Sequence, residues 1–310
     1  MKLGDASTPA EQAAEAAIAT VPQWRGKEIA YERIAAGITN INWRITVPAD
    51  GKRYFMKIPG AGTEVFIDRR VAKEAALKVA DTGYAPRLVH YDDDKDIEVQ
   101  EYLEGFRSCN VSDLLDPVIR ANVVKAYRRI HETQTLSIDK AGFDQLKERL
   151  AQARHYGAVL PRDLDRLLDI CERAREKLAK EPPRLCACYN DGYVSNYMVD
   201  DAKNVRIIDW EYAGNNDPYW DLSMLAFENF FNPDVVREMI ELHDGRYSEA
   251  AEARVRLNAG LIGVTWGCWA ALQSKLSSIP FDFAKYSDLI FLRTRFFMSQ
   301  PVWDHALAAL

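Results

Sequence analysis

Cysteine is scarce in this chain, and what there is does not form pairs. Five cysteines, at 109, 171, 186, 188 and 268, are scattered through 310 residues, which argues for a reducing compartment and against a disulfide framework. Cys186 and Cys188 alternate along one predicted strand and share a face. With no His or Cys ligand nearby, packing rather than zinc is the expectation for them. Basic charge is short as well: 40 Lys and Arg against 46 Asp and Glu leave a net charge of -6. That balance gives no electrostatic case for nucleic acid or an anionic membrane, and points to a small, cationic partner. The longest apolar stretch, residues 261–272, is too short to span a bilayer. The N-terminal residues, with Asp5, Glu11 and Glu15 among alanines, lack the basic start and apolar core of a signal peptide. A cytoplasmic enzyme, monomeric or homodimeric, is expected, and neither repeats nor low-complexity linkers interrupt it.

What is present is a change of pattern partway along. Residues 10–21 read as a helix, and 28–34, 41–47 and 53–58 as strands, the last two joined by the turn Pro48-Ala49-Asp50-Gly51. Residues 67–81 have helical periodicity, with Val71, Ala75 and Val79 on one face, and strands follow near 87–91 and 97–102. After Gly105 the chain is mostly helical, at 117–133, 143–156, 161–179, 233–243, 248–274 and 283–299. Asp217-Pro218 supplies an N-cap and a first-turn proline for a helix over 219–231. The fold class is α+β: a small antiparallel sheet lobe with one helix over 1–103, and a larger helical lobe over 104–310. A hinge near 100–105 implies a cleft between them.

Residues 185–189 and 205–208 are short apolar runs, each ending in a polar tip. Between them, Tyr197-Met198-Val199 and the turn over 200–204 predict a hairpin that returns Asp209 beside Asp191 and Asn196. Each Asp alone would be read as a turn cap or a strand end. Together the three form the set that phosphoryl transfer needs: a hydroxyl-binding base, Asp191, and two magnesium ligands, Asn196 and Asp209. Upstream, Gly37-Ile38-Thr39-Asn40 reads either as an ordinary hairpin turn or as backbone and hydroxyl donors laid over phosphates. Lys57, alternating with Met56 and Ile58, reads as a solvated edge charge or as a phosphate-binding cation.

Asn190-Asp191 through Asn196, then Ile208-Asp209-Trp210-Glu211-Tyr212-Ala213-Gly214 and Asn216-Asp217-Pro218-Tyr219-Trp220-Asp221-Leu222, resemble the choline/ethanolamine kinase family. That family belongs to the kinase-like small-molecule phosphotransferases that include the aminoglycoside phosphotransferases. The likeness runs from about residue 34 to about 297 and implies a protein-kinase-like bilobal fold with ATP as co-substrate and Mg2+ as cofactor. It implies that Gly37, Thr39 and Asn40 cover the phosphates, that Lys57 steadies them with Glu74 as its partner, and that Glu101 and Leu103 read adenine through their backbone. One departure stands out: Tyr189 replaces the family's histidine two residues before the base. Glu211 is expected either to support the metal shell or to make a surface salt bridge.

A permanently cationic acceptor calls for aromatic faces and a carboxylate. Trp266 and Trp269 share a helix face at i, i+3, with Phe281, Phe283 and Tyr286 following; on spacing alone these read as a core stripe. The resemblance instead implies a choline pocket of Tyr212, Trp266, Trp269, Phe281 and Tyr286 with Glu228 as its carboxylate. The expected activity is ATP-dependent phosphoryl transfer to the hydroxyl of a small amino alcohol, choline first. Ethanolamine, thiamine or an aminoglycoside as acceptor, or a catalytically silent binding protein, stand as alternatives.

Overall fold

In the computed structural model, which describes residues 1–35, 37–60 and 62–310, α1 (Pro9–Ile18) begins at a capping box. Thr8 Oγ1 accepts from Glu11 N, and the Glu11 carboxylate accepts from Thr8 N, satisfying two donors that a helix start leaves open. Its Ala14, Ala17 and Ile18 pack on a five-stranded antiparallel sheet. The strands are β1 (Ala30–Ile34), β2 (Asn40–Val47), β3 (Lys52–Pro59), β4 (Leu88–Asp92) and β5 (Ile97–Glu101), in the order β1-β2-β3-β5-β4. Alternation buries Trp43, Ile45 and Val47 of β2 with Met56 of β3. Lys57 is thereby turned to the opposite face, toward the cleft. Between β3 and β4 lies α2 (Arg69–Ala80), capped by Asp68 and burying the expected Val71, Ala75 and Val79.

The second lobe continues through β6 (Arg107–Ser108), α3 (Val111–Leu115), α4 (Pro117–His131), α5 (Gly142–His155) and α6 (Leu164–Leu178). Four short strands follow: β7 (Cys186–Cys188), β8 (Tyr197–Val199), β9 (Val205–Ile207) and β10 (Gly214–Asn216). Then come α7 (Pro218–Glu228), α8 (Pro233–Asp244), α9 (Glu249–Leu276), α10 (Phe283–Met298) and α11 (Pro301–Ala309). Helix α9 is buried along most of its length and carries α5, α7, α10 and α11 around it. The approach of α10 is close because α9 has glycine there. A Cβ on Gly263 would stand 2.2 Å from Thr294 Oγ1, and one on Gly267 would stand 2.7 Å from the Phe291 ring. No helix among the described residues is long and apolar enough to cross a membrane.

Three features depart from the sequence reading. Helix α11 is too short to signal itself by periodicity; it forms because Trp303 inserts against Gly260 of α9, a tertiary contact. Strand β10 pairs antiparallel with β7, although Gly214-Asn215-Asn216 has no strand propensity; side-chain hydrogen bonds from Asn215 and Asn216 hold it in place. Cys186 and Cys188 do share a face, with Sγ atoms 3.7 Å apart. They are not without a partner, however: the last residue of α4, His131, brings a ring nitrogen within 4.8 Å of both. Sequence proximity could not reveal it, since the contact spans more than fifty residues.

Gly263→Ala is expected to destabilise the fold by about 1–3 kcal/mol through overpacking against Thr294, read as a lower denaturant midpoint. An unchanged midpoint would show that α10 yields freely.

Candidate active site

The centre is a loop held by its backbone. The N–H groups of Tyr189 and Asn190 donate to the two carboxylate oxygens of Asp221, at 2.9 and 2.8 Å. Asp221 lies in the first turn of α7, is fully buried, and also meets His131 Nε2 at 3.0 Å. Asn190 adopts a left-handed backbone, φ +64°, a conformation that asparagine tolerates better than most residues. Its side chain donates to the carbonyls of Tyr212 and Gly214 and accepts from Asn216 Nδ2. The turn points Asp191 into the cleft, where its Oδ2 accepts from Asn196 Nδ2 at 3.1 Å. Burial, then the neighbouring Asp209, Glu211 and Glu228, push its carboxyl well above the usual range, against the Asn196 hydrogen bond.

The hairpin of β8 and β9 closes through Asp200 N to Asn204 O and returns the chain as expected, with Ile208 N donating to Asn196 O at 3.0 Å. Asp209 is left-handed too, φ +65°. Tyr189 ties the two segments together: its hydroxyl donates to the Ile208 carbonyl at 2.7 Å, and its ring packs edge-on against Trp210 at 4.8 Å. Asp191, Asn196 and Asp209 line one cavity. Because Asn196 spends its amide N–H on Asp191, its carbonyl oxygen remains for another partner beside the Asp209 carboxylate. An all-oxygen donor set of this kind fits a hard divalent cation such as Mg2+.

Lys57 Nζ lies 3.0 Å from Asp209, 3.1 Å from Glu98 and 3.4 Å from Glu211. Burial pulls this ammonium down, but the three carboxylates outweigh it and hold it well above its ordinary range. The expected partner, Glu74, does not face Lys57. It binds Lys78 Nζ, one turn along α2, and the backbone and hydroxyl of Ser137. Glu98 takes that place because β5 sets it directly across from Lys57 in the ladder. Glu211 is buried rather than a surface ion-pair partner: its Oε1 accepts from Asn40 Nδ2 at 2.9 Å and from Arg69. Asn40 thus fastens the loop after β1 to the Asp209-Trp210-Glu211 segment. Neither Glu98 nor Arg69 was marked in the sequence, though the register of β3 on β5 offered a signal for Glu98.

Two cavities meet at this cluster. One, about 200 Å3, lies between the lobes and is lined by Gly37, Lys57, Glu101 and Leu103 with Asn196 and Asp209. The other, about 320 Å3, is lined by Thr39, Asp191, Tyr212, Glu228, Trp266, Trp269, Phe281 and Tyr286, again with Gly37, Asn196 and Asp209. Tyr212 and Trp266 rings stand 5.0 Å apart, Trp266 and Trp269 5.4 Å, and Phe281 and Tyr286 5.7 Å. Phe283 is buried behind Phe281 and Trp269. The sequence reading missed Tyr193 and Met224 on this wall, and Arg293, which sits 3.1 Å from Glu228 Oε2.

Behind Tyr212, Lys140 lies with Nζ 3.5 Å from the Tyr212 carbonyl. Burial and then Arg149 lower its ammonium to about 8. Its charged form is disfavoured in the folded state, so the penalty is full below about 8 and is lost as pH rises toward the ordinary 10.5. Lys140→Met, which keeps the stem that packs on Gly214, is expected to raise the melting temperature at pH 7, with the gain vanishing by about pH 10.5. An equal gain at both pH values would discount the buried charge.

The sequence matches the phosphotransferase enzyme family over residues 30–257. It is 24% identical over 315 residues to ethanolamine kinase 2 of Rattus norvegicus, covering 90% of this chain and 78% of the rat protein. To the probable choline kinase 2 of Arabidopsis thaliana it is 22% identical over 280 residues, covering 81% of this chain and 79% of the plant protein. In three dimensions it resembles a choline/ethanolamine kinase family protein from Mesorhizobium loti, at 27% identity and a TM-score of 0.83, over 97% of this chain and 98% of that one. The chain belongs to the phosphotransferase enzyme family and is a kinase-like phosphotransferase acting on an alcohol group.

Proposed function

We propose that this protein transfers the γ-phosphoryl group of ATP to the hydroxyl of a small cationic amino alcohol of the choline class. The observation that carries the reading is the junction of the two cavities. A slot between the lobes and an aromatic chamber share Gly37, Asn196 and Asp209, and Asp191 opens into the chamber. Nucleotide placed in the slot and alcohol placed in the chamber would have their reacting groups meet at that shared wall.

In this reading Asp191 Oδ accepts the hydrogen bond of the acceptor hydroxyl and takes its proton late in transfer; its raised proton affinity suits that role. Asn196 and Asp209 would hold the magnesium, which supplies charge neutralisation to the phosphates when bound. Lys57 steadies the phosphates, positioned by Glu98 and Glu211 rather than by Glu74. Gly37, with φ +90°, and Thr39 line the chamber, where the loop can cover the transferring group. Catalysis is then mostly alignment in a closed, charge-matched cleft.

Choline is favoured over ethanolamine on two observations. Glu228, the pocket carboxylate, is already paired to Arg293, and the Tyr212 hydroxyl accepts from Trp269 Nε1 at 2.8 Å. Part of the acceptor capacity that a primary ammonium would need is thus taken up, while ring faces, which suit a quaternary ammonium, remain.

Magnesium-dependent ADP release measured with choline, ethanolamine, thiamine and kanamycin in parallel is expected to be fastest with choline. Firm ATP binding with no turnover on any of them would point to a silent binding protein. Asp191→Ala should lower kcat by about 100-fold or more while leaving ATP affinity nearly unchanged; an active variant removes the base. Trp266→Ala should raise KM for choline by about 2- to 30-fold, the span of one cation-π contact, and an unaltered KM would take the amine out of the chamber.

A further inference from the structure

We infer that Cys186, Cys188 and His131 form a binding site for one thiophilic divalent cation of the zinc class, directly beneath the catalytic loop. These residues take no part in the phosphoryl-transfer reading. They come from two elements far apart in sequence, the end of α4 and strand β7.

The spacing of the three ligand atoms suits an N/S site. Ligand lengths of about 2.3 Å for sulfur and about 2.0 Å for nitrogen put two sulfurs on one zinc roughly 3.8 Å apart, and a sulfur and a nitrogen roughly 3.5 Å apart. The Cys186 and Cys188 Sγ atoms are already 3.7 Å apart. The His131 nitrogen is within 4.8 Å of both, so about an ångström of side-chain rotation completes three ligands. Access is from the Cys186 side, since Cys186 is half-buried whereas Cys188 is sealed. Water entering that way fills the fourth position.

The surroundings favour a cation. The Asn216 and Asp217 carbonyl oxygens each lie 3.6 Å from Cys188 Sγ, and the Asn216 oxygen lies 3.9 Å from Cys186 Sγ. Burial first, then Cys186 and the Asp221 and Asp217 carboxylates, raise the Cys188 thiol well above its usual range. Negative ends that disfavour a bare thiolate favour a metal–thiolate pair instead. Binding replaces two S–H protons, which leave to solvent, and the two thiolate charges offset the 2+ ion. Affinity is therefore expected to rise with pH.

His131 now bonds Asp221 Oδ2 through Nε2 and His243 Nε2 through Nδ1, both at 3.0 Å. Ligation draws one ring nitrogen from one of these partners. The competing account is that the two thiols are weak S–H donors capped on the carbonyls and bind nothing.

The test is a titration of the reduced full-length protein with Cd2+, and with Co2+ in parallel, following thiolate-to-metal charge-transfer absorption. One equivalent with the amplitude of two thiolates is expected in the wild type, with loss of the band in Cys186→Ser. Zn2+ should likewise raise the melting temperature of the wild type and not of Cys186→Ser, whose circular dichroism reports its folding. If Cys186→Ser fails to fold, mass spectrometry of the wild type replaces it: Zn2+ should shield Cys186 from alkylation. Absence of the band in the wild type, its survival in folded Cys186→Ser, or alkylation of Cys186 unaffected by Zn2+ would each overturn the site.

Discussion

Everything in the cleft is referenced to one buried carboxylate. Asp221 sits in the first turn of α7 with no exposed surface, and its two oxygens receive the N–H groups of Tyr189 and Asn190. An uncompensated carboxylate there would cost several kcal/mol, so the loop must supply its donors in this geometry. The helix start adds its own favourable dipole. With those two N–H groups fixed, Asn190 has little choice but the left-handed backbone, and Asp191 is directed into the cleft. The loop is thus shaped by a helix it is not part of.

The second constraint is electrostatic. Among the described residues the site gathers Asp191, Asp209, Glu98, Glu211 and Glu228 against Lys57, Arg69 and Arg293. An excess of carboxylates in a closed cleft is unstable by itself; burial first, and then these neighbours, raise the proton affinity of Asp191. Cations relieve it. In the proposed reading a divalent ion beside Asp209 and an ammonium beside the rings are the complement of this charge pattern, and the negative triphosphate of ATP is tolerated only alongside them.

How much of this was legible in the residues depended on the distance between the parts. The strand alternation that turns Lys57 away from Met56, the helical spacing of Val71, Ala75 and Val79 and the hairpin returning Asp209 are local signals, and the chain follows them. Glu74 failed because helical position says which face a residue occupies but not which lobe that face meets. It turned to Ser137 in the other lobe, and the cross-strand Glu98 stood opposite Lys57. The aromatic residues of α9 were placed on one face by spacing. That Trp266 opens to a cavity while Phe283 packs behind it follows only from how α9 and α10 meet. Arg293 and His131 gave no local sign at all, since each gains its meaning from a partner more than fifty residues away.

Arg293 bears most directly on the chemistry of the chamber. Its guanidinium pairs with Glu228 and lies 4.5 Å from the Phe230 ring centre and 5.1 Å from that of Phe227. Burial alone raises the Glu228 carboxyl, and Arg293 opposes that rise. Arg293 thus offsets part of the field that Glu228 puts into the chamber, a field that still reaches Asp191. On the proposed function, the other contribution to recognition is the polarisable wall of Tyr212, Trp266, Trp269 and Tyr286, whose rings attract positive charge without demanding a donated hydrogen bond. In the proposed reading, a head group that keeps its charge but has no N–H to give suits that ring-lined wall best.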